Sequence, residues 1–321
     1  MHHGLLTVKV VKKSQEATDI QTFELADVSG ESLPPFSAGS HIDVHVRDGL
    51  VRQYSLCNDP VEQHRYLIGV LRDPNTRGGS KSMHDDIREG DVIQISEPRN
   101  HFPLAHEAKR SLLFAGGIGV TPILCMAERL ANVGADFRLY YFTRSHDRTA
   151  FYDRIQRSGF ADRTAFHFDD APPDQQLNIP NLLSQPDEGT HLYVCGPGGF
   201  LEFVRKTAKE KGWADARVHF EYFSADVQKS DTDAGFEVKI ASTGKVYIIP
   251  NDKTVVKALA EAGVEIPTSC EQGVCGTCLT RVIEGQPDHR DHYLTDDEQA
   301  ANDQFLPCCS RAKSKVLVLD L

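Results

Sequence analysis

The sequence lacks long apolar runs, a positive net charge and a recognisable leader. Its longest apolar stretches, such as SLLFAGGIGV and KVLVLDL, fall well short of the roughly 18 residues that can span a bilayer. A formal net charge of −11 argues against a primary role on nucleic acid, because neutralising phosphates needs clustered Lys and Arg. No basic region followed by an apolar stretch and a cleavage site is visible at the start. We therefore expect a cytoplasmic protein that binds neither nucleic acid nor membrane.

Other absences narrow the class of protein further. No internal repeat or low-complexity tract is apparent, and 40% hydrophobic with 25% charged residues is ordinary for a globular protein. No Ser-His-Asp triad or HExxH motif competes for a catalytic role. The 321 residues predict two or three domains at about 100 to 200 residues each. Eight cysteines in a cytoplasmic chain indicate metal ligands, catalytic groups or structural thiols rather than disulfides.

Changes of pattern along the chain predict three domains. Residues 1–104 contain short β-type runs separated by Gly, Pro, Asp and Asn, which indicates a small antiparallel β-barrel. Residues 105–225 alternate buried strands with amphipathic helices, which indicates an α/β domain with a parallel sheet. Residues 226–235 are polar, small and aperiodic, as is typical of a linker. Residues 236–321 combine a hairpin, a helix, a cysteine-rich loop and a final strand in a compact α+β unit.

Cysteine spacing is the most specific signal in the chain. Cys270, Cys275 and Cys278 form the segment CEQGVCGTC, and Cys308 follows after 29 intervening residues. This CxxxxCxxC…C pattern is the plant-type arrangement in which four thiolates hold a 2Fe-2S cluster. The alternatives are a zinc site or buried thiols, but zinc sites usually show two short Cys or His pairs. Cys309 is an alternative fourth ligand, although the interval favours Cys308.

Two glycine-rich turns in the predicted α/β domain each join a strand to a helix. AGGIGVTP places backbone amides and a positive helix end where a pyrophosphate can sit, although alone such a turn is often only tight packing. CGPGGF is a second turn of this kind, and ligands gather at the carboxyl ends of parallel strands. Cys195 is then either a plain buried thiol or a neighbour of a nicotinamide. The candidate residues of both turns are Gly117, Thr121, Cys195, Gly196 and Pro197.

Two segments of the predicted barrel are candidate flavin contacts. RQYSL places Arg52, Tyr54 and Ser55 on one strand, where they offer a fork of donors, an aromatic surface and a small hydrogen-bonding group. Alone, a solvated edge strand would be the simpler interpretation. RGGSKSMH supplies glycines, hydroxyls and Arg77 or Lys81 before a predicted helix, which makes it a candidate phosphate cradle. The two segments together are stronger evidence for a flavin site than either segment alone.

These motifs and their order resemble the family of phthalate dioxygenase reductase and vanillate O-demethylase reductase over nearly the whole chain. The segments that carry the resemblance are RQYSL, GGSKSMH, AGGIGVTP, CGPGGF, FEYF and CEQGVCGTC…CCSRA. The resemblance implies a flavin-binding barrel similar to ferredoxin reductases, an α/β NAD domain and a C-terminal β-grasp ferredoxin domain. It also implies FMN, NADH and a 2Fe-2S cluster as cofactors, and a Rieske-type terminal oxygenase as partner.

The resemblance assigns roles to individual residues. It implies that Ser55, Thr121 and Cys195 are catalytic, with Phe223 stacked on the flavin. Around the isoalloxazine and ribityl phosphate it places Arg52, Tyr54 and Ser55. At the flavin phosphate it places Gly78, Gly79, Ser80 and Lys81. Near the nicotinamide it places Thr121, Cys195 and Gly196.

The predicted function follows from the number of electrons that each cofactor handles. Hydride transfer from NADH delivers two electrons at once, whereas a 2Fe-2S cluster accepts one, so a flavin is needed between them. Together with the donor, flavin and partner that the resemblance implies, this predicts an NADH-dependent reductase, monomeric when free, that passes electrons through FMN and the cluster to an oxygenase or O-demethylase. NADPH is the alternative donor, with Arg144 and Arg148 meeting its additional phosphate. Alternative functions are a reductase for another monooxygenase, a flavin and iron-sulfur redox sensor, and a zinc-stabilised binding protein.

Overall fold

The chain forms two compact units, Met1–Glu221 and Tyr222–Leu321. The structure is a computed structural model, and it describes residues 4–47, 50–74, 78–223 and 233–321. The predicted boundaries at residues 104, 225 and 235 remain predictions, and most of the predicted linker lies outside the described residues. Within the described parts of the chain, no helix is both long and apolar enough to cross a membrane.

The first unit begins with an antiparallel barrel. Its strands are β1 (Leu6–Ala17), β2 (Ile20–Asp27), β3 (Ser40–Arg47), β4 (Leu50–Ser55), β5 (Tyr66–Leu71), β6 (Val92–Ile95) and β7 (Arg99–Asn100), with helix α1 (Gly79–Asp85) after β5. They pair in the order β4-β3-β6-β1-β2-β5, with β7 on β3. A bridge between Leu56 and Ile68 joins the two outer strands and closes the sheet. Side chains alternate between the barrel interior and solvent along each strand, so Val8 and Val10 are buried while Lys9 between them is exposed.

A parallel α/β sheet completes the first unit. Its strands are β8 (Arg110–Gly116), β9 (Asp136–Thr143), β10 (Thr164–Phe168), β11 (Thr190–Cys195) and β12 (Val218–Glu221). Its helices are α2 (Val120–Asn132), α3 (Tyr152–Gln156), α4 (Ile179–Leu182) and α5 (Gly198–Glu210). All strands are parallel in the order β10-β9-β8-β11-β12, so the direction of winding reverses between β8 and β11. Ligands bind at such a reversal, beyond the carboxyl ends of the strands.

The barrel and the α/β sheet share buried side chains. One hydrophobic cluster contains Leu113, Ile123 and Tyr141 of the α/β part together with Ile20 and Phe102 of the barrel part. A second cluster fills the barrel itself. The shared cluster holds the two parts together as one unit, because separating them would expose large apolar side chains to water.

The second unit is a mixed α+β fold. Its strands are β13 (Phe236–Ile240), β14 (Val246–Ile249), β15 (Thr280–Glu284), β16 (Pro287–Asp288), β17 (Gln304–Phe305), β18 (Arg311–Ala312) and β19 (Val316–Leu319). Its helices are α6 (Val255–Glu261) and α7 (Asp296–Ala301). The main sheet has the order β14-β13-β19-β15-β17, in which β13 and β19 are parallel, and β16 pairs with β18. The cysteine-rich loop connects α6 to β15.

Candidate functional site

The two glycine-rich turns lie side by side at the reversal of the α/β sheet. A Cβ atom on Gly119 would overlap the backbone carbonyl of Cys195, and one on Gly196 would lie 2.9 Å from the Cα of Gly116. Gly117 has a φ of +51°, which few residues with a side chain adopt. Only glycines allow two backbones to approach so closely. The turns therefore present their amides together at the carboxyl ends of β8 and β11.

Thr121 and Pro197 lie at the starts of the helices that follow these turns. Thr121 is buried, and its hydroxyl donates to the carbonyl of Ile118 at 3.0 Å. Its methyl group lies against Gly69 of β5, so it contacts the barrel from the α/β side. Pro197 occupies the N-cap position of α5 and contributes no amide donor there. The hydroxyl proton of Thr121 is therefore already used in a hydrogen bond within its own turn.

Glu221, which the sequence analysis missed, lies at the same place. It ends β12 in register with Cys195, and its carboxyl hydrogen-bonds to Ser55 at the end of β4. The residue is half-buried, but its Oε2 atom is out of contact with solvent and has no hydrogen-bond partner in the described residues. Burial raises the pKa of Glu221 to about 8, against the opposing effect of the Ser55 hydrogen bond. The carboxyl is therefore mostly protonated at neutral pH.

Cys195 is a neutral thiol in this setting. Its side chain is fully buried, and burial together with the neighbouring carboxyl of Glu221 raises its pKa well above the ordinary value. A thiol of this kind is a poor nucleophile and serves as a small polarisable contact. The ends of three different strands thus meet at one point, where Ser55, Cys195 and Glu221 lie.

The two candidate flavin segments of the barrel also meet. Arg52 lies directly against Gly79, since a Cβ atom there would come within 2.5 Å of the Arg52 Cγ and 2.6 Å of its Nε. Gly78 precedes α1 with a φ of +102° and acts as its N-cap. Tyr54, on the same strand as Arg52, packs against the barrel core, and burial raises its pKa, so the phenol stays neutral. RQYSL and GGSKSMH therefore lie against each other through Arg52 and Gly79.

The remaining candidates of the first domain have local partners or fall elsewhere. The Ser80 hydroxyl accepts a hydrogen bond from the Asp73 amide at 3.2 Å. Lys81 is exposed, and its ammonium lies 3.9 Å from Asp85 on the next turn of α1. Arg77 lies outside the described residues. Phe223 belongs to the second unit and is partly exposed, so its stacking on a flavin stays a prediction.

The four predicted cluster cysteines are buried and lie in two close pairs. The thiol of Cys270 donates to the sulfur of Cys275 at 3.1 Å, which lowers the pKa of Cys275 to about 6. The thiols of Cys278 and Cys308 form the second pair. No group of three or more His, Cys, Asp or Glu in the described ranges is arranged to hold a single metal ion. Two pairs suit a 2Fe-2S cluster, because four thiolates divide between two irons.

Two glycines with left-handed conformations shape the cysteine loop. Gly273 and Gly276 both have a φ of +71°. A Cβ atom on Gly273 would come within 2.5 Å of the sulfur of Cys309, so Cys309 packs beneath the loop. That sulfur also bonds to the Leu306 carbonyl at 3.6 Å and contacts Cys308. Cys309 therefore packs beneath the loop while its sulfur stays in contact with Cys308 of the second pair.

A cavity of about 410 Å³ opens at the carboxyl ends of β9 and β10. Aromatic and apolar groups line most of it: Phe142, Phe200, Phe203, Leu177, Ile179 and Pro180. Its polar wall includes His167 and Asp169. The amide of Leu177 donates to Nδ1 of His167, which leaves the ring proton on Nε2, 3.3 Å from the Asp169 carboxylate. The cavity therefore offers an aromatic slot beside a carboxylate.

The two arginines considered for NADPH lie apart from this cavity wall. Arg148 forms an ion pair with Asp19 at 3.1 Å, and Arg144 is exposed after β9. Neither residue lines the cavity, whereas Asp169 does.

Comparisons with known proteins agree with this architecture. A family model described as a 2Fe-2S iron-sulfur cluster binding domain matches residues 238–313, and one described as the N-terminal domain of DmmA-like dimethylamine monooxygenase subunits matches residues 94–218. The chain is 58% identical to a vanillate O-demethylase oxidoreductase from Pseudomonas sp. (strain HR199 / DSM 7063), over 95% of this chain and 96% of that one. It is 55% identical to the Pseudomonas putida enzyme of the same name, over 99% and 100% of the two chains.

A solved structure supports the same assignment. Phthalate dioxygenase reductase, described as a modular structure for electron transfer from pyridine nucleotides to [2Fe-2S], has a TM-score of 0.81 and 42% identity. The match covers 99% of this chain and 98% of that chain.

Fold and site together define a flavin and iron-sulfur oxidoreductase that serves as the reductase component of an oxygenase system. The chain belongs to the family of vanillate O-demethylase oxidoreductase and phthalate dioxygenase reductase. The predicted fold class, enzyme class and cofactor set of FMN, NADH and a 2Fe-2S cluster are thereby confirmed. The residues fit these groups, since Oε2 of Glu221 has no hydrogen-bond partner in the described residues, the space around the Cβ position of Gly117 is open, and the thiols form two pairs.

Proposed function

We propose that this chain is the NADH-dependent reductase of an O-demethylase of the vanillate type, delivering single electrons to a terminal oxygenase component. The observation that carries the proposal is the meeting of Ser55, Cys195 and Glu221 at the ends of β4, β11 and β12. Each of these strands ends in a polar or polarisable side chain within an otherwise apolar region. Such convergence is expected where a nicotinamide must face a flavin.

The barrel supplies the flavin-binding side of the site. Arg52 offers a guanidinium fork to the flavin phosphate, and its packing on Gly79 holds it beside the amides of Gly78 to Lys81. Ser55 donates its hydroxyl either to Glu221 or to a ring nitrogen, and Tyr54 provides an aromatic edge. When bound, a flavin supplies the conversion between paired and single electrons. Phe223 completes the proposed set by stacking on the ring.

The α/β part supplies the nicotinamide side. The space around the Cβ position of Gly117 is open, so a pyrophosphate reaches the first turn, and Gly196 and Pro197 of the second turn lie directly beside Gly116. Thr121 and Cys195 pack near the nicotinamide and exclude water from it. Glu221 holds a proton there and keeps the region neutral at pH 7.

The cavity beside Asp169 is proposed as the place for the adenosine half of NADH. Its volume and its aromatic lining suit an adenine ring. The carboxylate of Asp169, directly after β10, accepts hydrogen bonds from ribose hydroxyls and repels an additional phosphate. This arrangement supports NADH rather than NADPH as the donor.

The second unit supplies the cluster ligands. We assign Cys270 with Cys275 to one iron and Cys278 with Cys308 to the other, following the two thiol pairs. We leave Cys309 outside the ligand set because Cys308, rather than Cys309, pairs with Cys278. We also propose that the protein is a cytoplasmic monomer that binds its oxygenase transiently.

The proposal is tested by absorption spectroscopy of the purified protein. Flavin and iron-sulfur bands should both bleach on anaerobic addition of NADH, and denaturation should release FMN. Adding the oxygenase component of a vanillate O-demethylase with vanillate should then couple NADH oxidation to demethylation. A colourless protein that neither flavin nor iron and sulfide reconstitutes would refute the reductase assignment. Electron flow that stops before the oxygenase would refute only the choice of partner and favour another monooxygenase.

A further inference from the structure

Strand β5 carries a glycine at a position where its own pattern predicts a large apolar side chain. Ile68 and Val70 belong to the core of the barrel. Leu67 and Leu71 pack in the hydrophobic cluster that the barrel shares with the α/β sheet. Successive side chains alternate along a strand, so position 69 lies on the face that carries Leu67 and Leu71. Gly69 is buried there without a side chain, as is typical of a place where another part of the molecule approaches a strand closely.

Two buried side chains of the α/β part occupy the space beside Gly69. A Cβ atom on Gly69 would lie 3.0 Å from the methyl carbon of Thr121 and 3.4 Å from Cζ of Phe151. The second distance is an ordinary van der Waals contact. The first is too short for a methyl group at position 69 unless Thr121 moves away by a few tenths of an ångström. Gly69 therefore lets Thr121 approach the barrel more closely than any other residue would allow.

Hydrogen bonds to the barrel fix Phe151, the other neighbour of Gly69. The φ of Phe151 is +59°, which few residues with a side chain adopt. Its amide donates to Oε1 of Glu16 on β1 at 2.9 Å. Close by, the amide of Thr18 donates to the carbonyl of Asp147 at 2.8 Å. These bonds hold the loop after β9 against the barrel, so crowding at Gly69 has to be relieved at Thr121.

The backbone around Gly69 is also joined to the strand end that carries a candidate flavin contact. Ile68 forms the bridge with Leu56 that closes the barrel, and Leu56 directly follows Ser55. Gly69 is thus one residue from the bridge that holds the end of β4. Ser55 lies on the barrel side of this contact and Thr121 on the α/β side.

We propose that Gly69 is the spacer between the flavin side and the nicotinamide side of the site, a positioning residue whose missing side chain sets how closely Thr121 approaches Ser55. The proposal rests on the proposed function, since it concerns hydride transfer from NADH. In that step C4 of NADH loses one hydride and NADH becomes NAD⁺, while the bound flavin gains the hydride and one proton from water. The reacting atoms must come within about 3 to 3.5 Å of each other, so a shift of a few tenths of an ångström changes the rate.

The test exchanges a methyl group between the two sides of this contact in the full-length holoprotein. Gly69→Ala adds a methyl group, and Thr121→Ser removes the one that it would meet while keeping the hydroxyl that bonds to Ile118. The double variant Gly69→Ala/Thr121→Ser completes the cycle. Gly159→Ala is the matched control, because a Cβ atom there meets nothing within 4 Å.

For each protein we would measure the rate of flavin reduction at saturating NADH by rapid mixing, with and without deuterium at C4 of NADH. The isotope effect shows whether hydride transfer is the step that limits this rate. The Kd for NADH, the flavin content, the flavin potential and the melting temperature are measured alongside. A purely structural role would change the flavin content or the melting temperature, whereas a positioning role changes the rate of hydride transfer.

We expect Gly69→Ala to reduce its flavin about three- to tenfold more slowly, since a misplacement of about 1 Å can cost about a hundredfold. Its Kd for NADH, flavin content and flavin potential should match the wild type, as should every property of Gly159→Ala. In the Thr121→Ser background, adding the Gly69→Ala change should alter the rate by less than about twofold, because the space for the methyl group is then available.

The proposal is overturned if Gly69→Ala keeps the wild-type rate, or if it slows flavin reduction equally in the presence and absence of the Thr121 methyl group. A slower rate fully accounted for by an altered potential or a weaker Kd would overturn it as well. If NADPH rather than NADH reduces the wild type, the donor assignment fails and the same rates with NADPH decide the role of Gly69. A flavin that neither nucleotide reduces would refute the proposed function and this proposal together.

Discussion

Glu221 is the residue whose chemistry depends most on its surroundings. A glutamate in water is ionised above pH 4.5, but here burial holds the proton to about pH 8. Below that pH the site beside Ser55 and Cys195 is neutral, and above it a negative charge appears. A negative charge near the hydride acceptor opposes the arrival of an electron pair. Glu221 is therefore expected to set the upper pH limit of flavin reduction.

Glu221→Gln should remove this limit while keeping the shape of the side chain. In the wild type we expect the rate of flavin reduction by NADH to fall as the pH rises through about 8, whereas the variant should stay level. Rapid-mixing measurements of flavin bleaching at a series of pH values check this. Glu202→Gln, on the exposed side of α5, should reproduce the wild-type profile. An inflection near pH 8 that persists in Glu221→Gln would assign it to another group.

The deprotonation of Glu221 also changes the free energy of unfolding, and the direction of the raised pKa gives the sign of that change. The folded-state pKa lies above the ordinary value, so the unfolded chain loses its proton first as the pH rises. Glu221 therefore disfavours folding increasingly between pH 4.5 and about 8. We expect the melting temperature of Glu221→Gln to exceed that of the wild type by a margin that grows over this window, as measured by calorimetry. A margin independent of pH would contradict the assignment.

Asp169 is the residue expected to select the nucleotide. Asp169→Ser removes the carboxylate that faces the proposed ribose position, so repulsion of the NADPH phosphate should fall. The ratio of kcat/KM for NADH to that for NADPH should drop about tenfold or more. Steady-state kinetics with a small acceptor measure this ratio. Asp174→Ser, an exposed residue of a nearby turn, should leave the ratio unchanged.

At the scale of elements, the turns after β8 and β11 must touch for the nucleotide site to form. The contact has no room for a side chain, because Gly119 faces the carbonyl of Cys195 and Gly196 faces Gly116. The helices α2 and α5 begin immediately beyond, so a displacement of either turn would move a helix start as well. The glycines therefore couple the positions of two helices.

Gly119→Ala should separate these turns. The added methyl group meets backbone atoms, which cannot move aside as a flexible side chain can, and we expect a loss of about 1 to 3 kcal/mol in stability. The KM for NADH should rise about tenfold while the flavin content stays normal. Gly199→Ala is the matched control, because a Cβ atom there meets nothing within 4 Å. Equal effects of the two substitutions would show that the close contact is unimportant.

At the scale of the whole molecule, the candidate hydride site and the candidate cluster ligands lie in separate units. Ser55, Thr121 and Cys195 belong to Met1–Glu221, whereas the four predicted cluster ligands belong to Tyr222–Leu321. The second unit has its own hydrophobic core. Damage to the cluster should therefore leave the first unit folded.

Cys275→Ser should abolish the cluster and spare flavin reduction. We expect the iron-sulfur absorption to disappear and cytochrome c reduction to fall, while NADH reduces the flavin within about twofold of the wild-type rate. Cys309→Ser is the control, since the sulfur of Cys309 packs against Gly273, and it should retain the cluster. Loss of flavin reduction in folded Cys275→Ser would contradict separate electron stations. If Cys309→Ser lost the cluster and Cys308→Ser retained it, Cys309 rather than Cys308 would be the fourth ligand.

The parts of this protein that the sequence determined are those with short-range signals. Strand alternation predicted the barrel, buried strands alternating with helices predicted the parallel sheet, and the intervals among Cys270, Cys275, Cys278 and Cys308 predicted the cluster type. The glycine-rich turns predicted where a nucleotide binds, and that position stays a prediction. Each of these signals depends on spacing within a segment, so it can be read without knowing which segments become neighbours.

Tertiary structure alone decided which side chains from distant segments meet. Glu221 gained its raised pKa only because β12 ends beside β11 and near the end of β4, which removes its carboxyl from water. Asp169 faces a cavity because the rings of Phe142 on β9 and Phe200 on α5 pack against each other beside it. Burial and proximity are properties of the packed chain rather than of any one segment. A sequence pattern therefore reveals the elements, and packing decides their chemistry.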